Sequence, residues 1–229
     1  MALLIAFVLA VFGPTAPSAA VGTGTITGRV TLAKNGTPLT DASSCVVWLE
    51  GLHAPNLGSK PAPHVEMKSQ GKKFVPRVVA VEKSAEVDFP NVDPIYHNVF
   101  SVSPANRFDL GLYRSGGSKA KKFDSPGLVR VYCNIHPQMV GFVFVADSDF
   151  VAVTGTDGAF RFENVPAGNW ELRAWQEEGG ETRTPVAVRT RAETSAPVRL
   201  DASDFRPQMH KNKYGKDYPP QAGSDDERY

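Results

Sequence analysis

Soft metal donors are scarce in this chain: two cysteines, four methionines and five histidines are spread over 229 residues. Two cysteines permit at most one disulfide. Net charge is nearly absent, at +1 formally, and nothing in it argues for nucleic acid or for an anionic membrane surface. Long apolar runs are missing too, except for Ala2 to Phe12, which is too short to span a bilayer as a mature helix. Gly13-Pro14 and then Pro17-Ser18-Ala19-Ala20 follow it, so residues 1–20 read as a secretory signal cleaved ahead of Val21. No Lys or Arg precedes the run, which points to a translation start upstream of Met1, and no cysteine stands at the cleavage site to carry a lipid. No Gly-x-Ser-x-Gly elbow, Gly-rich phosphate loop or His-Glu-x-x-His occurs, so a hydrolase has no motif to rest on.

What the chain has in quantity is turn residues, 20 Gly and 18 Pro, with β-branched and aromatic residues between them. That pattern predicts an all-β protein. Gly24 to Leu32 places Ile26, Val30 and Leu32 on one face, a strand ended by the Asn35-Gly36 turn signal. Val46 to Glu50 predicts the next strand, and the Pro- and Gly-containing stretch from His53 to Pro63 predicts a loop. Short strands are expected at Val65 to Met67, Phe74 to Glu82, Ala85 to Phe89, Val99 to Val102 and Phe108 to Tyr113.

The most informative stretch is Tyr132-Cys133-Asn134-Ile135-His136-Pro137-Gln138-Met139. Thiol, imidazole and thioether follow one another at Cys-x2-His-x2-Met spacing, between two apolar runs. Val129 and Val131 share parity with Cys133, so in a strand the sulfur points to the same side as the core valines. Val140 to Val145 is apolar on both faces, as in a covered strand. Thiolate and thioether favour copper, and imidazole suits copper as well as zinc. A zinc site would more readily use a second Cys or His in place of the Met. The blue-copper arrangement needs one more His, and Pro94-Ile95-Tyr96-His97-Asn98-Val99-Phe100 supplies the best candidate. The competing reading is a disulfide between Cys133 and Cys45, expected of an exported chain with an even cysteine count. It leaves the His136, Met139 and His97-Asn98 spacing without a purpose; Cys45 is then expected to be a small buried hydrophobe.

The pairing of His-Asn-Val with Cys-x2-His-Pro-x-Met resembles the cupredoxins, over roughly Pro63 to Asp147, with the loop spacing of amicyanin. The resemblance implies one mononuclear type 1 copper held by His97, Cys133, His136 and Met139. It further implies that the Asn98 side chain ties the two ligand loops together near the thiolate, and that His136 is the edge through which electrons pass. Pro137 would stiffen the loop, and Tyr96 and Phe100 would shield the site. A copper oxidase or nitrite reductase would need further histidines at a second copper, so no enzyme activity is expected. The implied function is single-electron transfer in the periplasm or outside the cell, by a monomer whose redox partner proteins the sequence does not name. The alternative is an envelope protein that stores or delivers copper, or that binds glycan or protein without redox turnover.

A second resemblance covers the rest. The run Thr156-Asp157-Gly158-Ala159-Phe160-Arg161-Phe162-Glu163-Asn164-Val165-Pro166-Ala167-Gly168-Asn169-Trp170-Glu171-Leu172-Arg173-Ala174-Trp175 is similar to the carboxypeptidase regulatory-like domain, a prealbumin-like β-sandwich. The family's opening pieces lie far upstream, at Gly28-Arg29-Val30, Gly36-Thr37-Pro38-Leu39 and Val46 to Leu49. The sandwich is therefore expected to be split into 23–55 and 148–202, with a cupredoxin domain at 63–147 inserted in one connection. A contact between Val46 to Leu49 and Phe160 to Trp175 would support this over two consecutive domains. Residues 203–229 are expected to form a mobile tail, with His210 solvated in it. Lys119, Lys121 and Lys122 read either as a solvated loop or as a docking patch for an acidic partner. His53 and His64 are expected to be solvated, and Met67, Trp48, Trp170 and Trp175 to pack in cores.

Overall fold

The structure, a computed structural model, describes residues 22–53, 64–207 and 209–218, so the expected leader at 1–20 and most of the loop before Pro63 lie outside the described residues. Among the described residues the regular elements are strands and one short 3-10 turn at Pro104–Asn106. The protein is all-β, as turn-punctuated runs of β-branched and aromatic residues require. No described helix is long and apolar enough to cross a membrane.

The strand Thr23–Lys34 buries Ile26, Val30 and Leu32 and turns at Asn35-Gly36, with φ of 51° and 77°. Both lie in the left-handed region that a two-residue hairpin needs. Its other partners come from the far end of the chain: Ala159–Pro166 runs antiparallel to it, and Glu193–Ser195 and Val198–Asp201 run parallel. Gly158 closes against it so tightly, at φ +69°, that a Cβ would lie 2.1 Å from the Val30 carbonyl oxygen. Val46–Leu49 lies between Val151–Val153 and Gly168–Gln176, with Leu49 opposite Leu172 and Val46 opposite Trp175. The two ends of the chain thus share one core, containing Ile26, Val47, Leu49, Phe160, Phe162 and Leu172.

The middle of the chain builds another. A five-stranded sheet runs in the order Phe108–Tyr113, His97–Ser101, Gly127–Tyr132, Val140–Ala146, Val78–Glu82. Ser118–Lys122, Glu86–Pro90 and Val65–Glu66 form a smaller sheet. Val87 and Phe89 of the smaller sheet meet Val99, Val129 and Val143 of the larger in a common core.

Two strands are apolar throughout because each has packing on both faces. Val47 and Leu49 enter the core built by the chain ends, whereas Val46 and Trp48 turn the other way. Val143 and Val145 enter the core of the middle segment, whereas Phe142, Phe144 and Ala146 face Trp48. Trp48 and Phe144 have ring centroids 4.4 Å apart, and Phe142 and Trp175 5.1 Å. This aromatic layer is the contact between the two sets of sheets. Trp170 packs against the core of the chain ends, its Nε1–H donating to the Pro166 carbonyl at 2.7 Å. The tryptophans are packing residues, not an open platform.

Candidate metal centre

Val129, Val131 and Cys133 point together into the core of the middle segment, as their shared parity requires. The strand Gly127–Tyr132 ends one residue before the thiol. The chain then makes a tight loop, in which Met139 N–H donates to the His136 carbonyl at 3.0 Å and Cys133 N–H to the Met139 carbonyl at 3.3 Å. These bonds return the chain beneath itself, so His136 and Met139 are buried beside Cys133 at the top of one core. His97 enters from the neighbouring strand, His97–Ser101, whose five residues are all buried.

The three donors converge. Cys133 Sγ lies 3.8 Å from His97 Nδ1 and 3.7 Å from His136 Nδ1, and the two Nδ1 atoms are 3.1 Å apart. A point equidistant from the three lies about 2.1 Å from each, which is the bond length of a first-row ion to an imidazole nitrogen. Two imidazole lone pairs and a sulfur aimed at one point form the donor set that a soft or borderline cation satisfies. Among the described residues these are the His, Cys, Asp or Glu side chains grouped closely enough to hold an ion.

The orientation of His97 has a definite cause. Its Nε2–H donates to Asp93 Oδ2 at 2.7 Å, which leaves the Nδ1 lone pair facing the sulfur. Asp93 is itself fixed by the N–H groups of Gly71 at 2.6 Å and Lys72 at 2.9 Å. Burial alone would raise the Asp93 pKa, but the Lys72, Gly71 and His97 donors outweigh it and hold the carboxyl below its ordinary range. Burial lowers the His97 pKa below its ordinary value, against the opposing pull of Asp93. Burial likewise pushes the Cys133 thiol up, offset in part by N–H groups of Asn98, Ile135 and His136 directed at the sulfur. Such N–H donors favour the thiolate that a metal requires.

Asn98 plays a different part from the one expected. Its backbone N–H serves the thiol, while its side-chain amide donates to Asp109 Oδ1 at 2.7 Å and its Oδ1 is buried without a partner. The side chain thus ties the His97 strand to Phe108–Tyr113, and makes no direct bond to the Cys133 loop. His136 is 4% exposed, against 1% for Met139 and 0% for His97 and Cys133, so it is the least buried of the four.

Residues 209–218 lie along the Cys133 loop, and His210 is packed there rather than solvated as expected. His210 stacks on Tyr132, with centroids 4.0 Å apart, and its Nε2 is 2.7 Å from the Pro137 carbonyl. Tyr218 O–H donates to the Cys133 carbonyl at 2.9 Å. Lys213 N–H donates to Asn134 Oδ1 at 3.0 Å, and Lys213 Nζ to Asp109 Oδ2 at 2.7 Å. This strap, like Asp93, escaped the sequence reading because neither has periodicity. The visible signal was local: the Asn212 side chain caps a turn through the N–H groups of Tyr214 and Lys216 before Gly215 at φ +74°.

The cysteines form no disulfide and belong to different cores, Cys45 with the chain ends and Cys133 in the middle segment. Phe100 is buried against Tyr132, with ring centroids 5.7 Å apart, whereas Tyr96 is exposed. Met67 is fully buried. His53 pairs with Asp147 and Asp149, and His64 with Glu66 and Asp88, all at the surface. Lys119, Lys121 and Lys122 lie on or at the end of an edge strand, over Tyr113, over Phe123 and beside Asp124 respectively. Lysines there discourage edge-to-edge pairing.

No family model matches the chain, and no curated protein does. Solved structures do. A purple cupredoxin from Nitrosopumilus maritimus is 20% identical over 36% of this chain and 99% of that one, with a TM-score of 0.32. A mutant of amicyanin in its Cu(I) form is 19% identical over 38% of this chain and 86% of its own, with a TM-score of 0.35. A copper-containing nitrite reductase from Thermus scotoductus SA-01 is 23% identical over 41% of this chain and 24% of its own, also at 0.35.

Proposed function

We propose that this chain is an exported carrier of single electrons, with one copper held by His97, Cys133, His136 and Met139. The single observation that carries the reading is the convergence of two imidazole Nδ1 atoms and one sulfur within 3.8 Å of one another, all buried. Copper in a Cys-His-His set with a weak axial Met supplies a one-electron couple. Asp93 orients His97 for it, and the N–H groups at the sulfur stabilise the thiolate. Burial of all four ligand side chains keeps water away. Strand and short-loop placement holds the donors in one geometry, so little rearrangement accompanies the change of charge.

A carrier fits better than a catalyst. Of the five histidines, two belong to this centre, and His53, His64 and His210 each stand elsewhere with their own partners. We read residues 63–147 as the copper-binding domain, inserted into a regulatory-like sandwich made of 23–55 and 148–202. The antiparallel pairing of Val46–Leu49 with Gly168–Gln176 supports that division. An oxidising compartment suits both this centre and the leader-like start of the sequence. The redox partner is a protein, and the chain works as a monomer.

Copper titration of the purified protein, followed by visible absorption and voltammetry, tests the proposal. An intense thiolate-to-copper band that Cys133→Ser removes, together with a reversible couple, supports the carrier. Tight Cu(I) binding without a reversible couple supports storage or delivery instead. A protein that binds no copper has some other function.

A further inference from the structure

Two segments bring the donors together, the His97 strand and the Cys133 loop, and something must hold one to the other. Asn98, next to His97, reaches the Cys133 sulfur with its backbone N–H, but its side chain makes no bond to the loop. Its amide is spent on Asp109, and its Oδ1 has no partner. Asn134, next to Cys133, turns its Oδ1 to the strap. Beyond the pairing of Tyr132 with Phe100 and the Asn98 N–H at the sulfur, a side-chain connection between the segments runs through Lys213. Lys213 donates its backbone N–H to Asn134 at 3.0 Å and its ammonium to Asp109 at 2.7 Å. Asp109 accepts the Asn98 amide on its other oxygen, at 2.7 Å, along with the Gly111 N–H at 2.9 Å.

We propose that Lys213 is a positioning residue, which ties the Cys133 loop to the His97 strand through Asn134 on one side and the Asp109–Asn98 pair on the other. Its effect on copper rests on the function proposed above; the tie itself does not. The rest of the strap sets Lys213 in place. His210 stacked on Tyr132 and Tyr218 bonded to the Cys133 carbonyl anchor the two ends. The turn capped by Asn212 fixes the backbone between them. A charge-assisted bond is suited to this role because an ammonium holds a carboxylate more strongly than a neutral donor does. The Lys213 side chain is 22% exposed and that of Asp109 41%, so the tie is screened in part and its loss is graded, not catastrophic.

The test uses Lys213→Met, which keeps the backbone N–H and the length of the side chain but removes the ammonium, and Lys213→Arg, which restores a charged donor. Amide hydrogen exchange is measured on the metal-free full chain. In Lys213→Met the Cys133 and Met139 amides are expected to exchange about fivefold faster, the size of effect given by a partly screened charge-assisted bond. Amides of Gly168–Gln176 are expected to be unchanged, and Lys213→Arg to return the loop to the wild-type rate. In copper-loaded protein, the reduction potential and the energy of the thiolate band should shift in Lys213→Met and recover in Lys213→Arg. Loop exchange in Lys213→Met equal to wild type overturns the tie. If exchange responds but the loaded wild type shows no thiolate band, the tie stands and the copper reading falls. If the wild-type band is present while neither exchange nor potential moves in Lys213→Met, the tie alone falls.

Discussion

The Nε2–H of His97 donates to Asp93 at 2.7 Å, and the opposite nitrogen of the same ring lies 3.8 Å from the Cys133 sulfur. One hydrogen bond therefore selects both the tautomer and the direction of the lone pair. Removing the carboxylate frees the ring to rotate and takes away the acceptor that raises its basicity. Asp93→Ala is expected to weaken copper binding by about 10- to 100-fold, the usual cost of losing an outer partner of a metal-bound histidine. Competition with a chelator of known affinity measures it, and an unchanged affinity would show that His97 needs no such support.

Met139 is expected to set the potential more than the affinity. Its side chain is buried in the core that holds Cys133, and its backbone bonds to both His136 and Cys133. Met139→Gln puts a harder oxygen donor where the soft thioether was, which favours the oxidised ion. Copper should be retained and the potential lowered, as read by voltammetry.

The metal-free protein is expected to lose stability in two steps as the pH falls. Burial holds the folded-state pKa of His97 below its ordinary value. The unfolded chain then takes up the proton first, and stability declines from about pH 6.5 downward. Asp93 and Asp109 are also depressed in the fold; burial would raise both, but their hydrogen-bond donors outweigh it. Their contributions are full above the unfolded carboxyl value and are lost as pH falls below about 4. Urea titrations at a series of pH values measure the decline. In His97→Gln the upper step should vanish while the lower one remains.

Trp48 carries the contact between the two sets of sheets, with Phe144 at 4.4 Å and the Arg173 guanidinium 5.3 Å over its ring. Trp48→Ala should cost about 3–5 kcal/mol, as for other large-to-small changes at buried aromatic positions. Equilibrium denaturation gives the number. A cost under about 1 kcal/mol would mean that the two halves stand independently of this layer.

How much of the centre was legible depends on how far apart in the sequence its parts lie. Cys133 and His136 could be read together because a short loop after a strand has few conformations, and spacing alone brings their donor atoms within 3.7 Å. His97 was found by a motif 36 residues away. Asp93 was not, because an acid four residues before a histidine in a turn has no period to announce it. The bond of the Asn98 side chain to Asp109 was not legible, since Asp109 comes from a strand whose register no pattern in the chain specifies.

The sequence by itself determined that the chain is built of strands, which residues face the cores, and which donors stand on one loop. These follow from alternation and turn chemistry, both local. Only the tertiary structure decided that Trp48 and Phe144 meet and that residues 209–218 lie on the Cys133 loop. Those contacts depend on how strands pair across long separations, where closing the loop costs nearly the same for many partners and packing alone chooses among them.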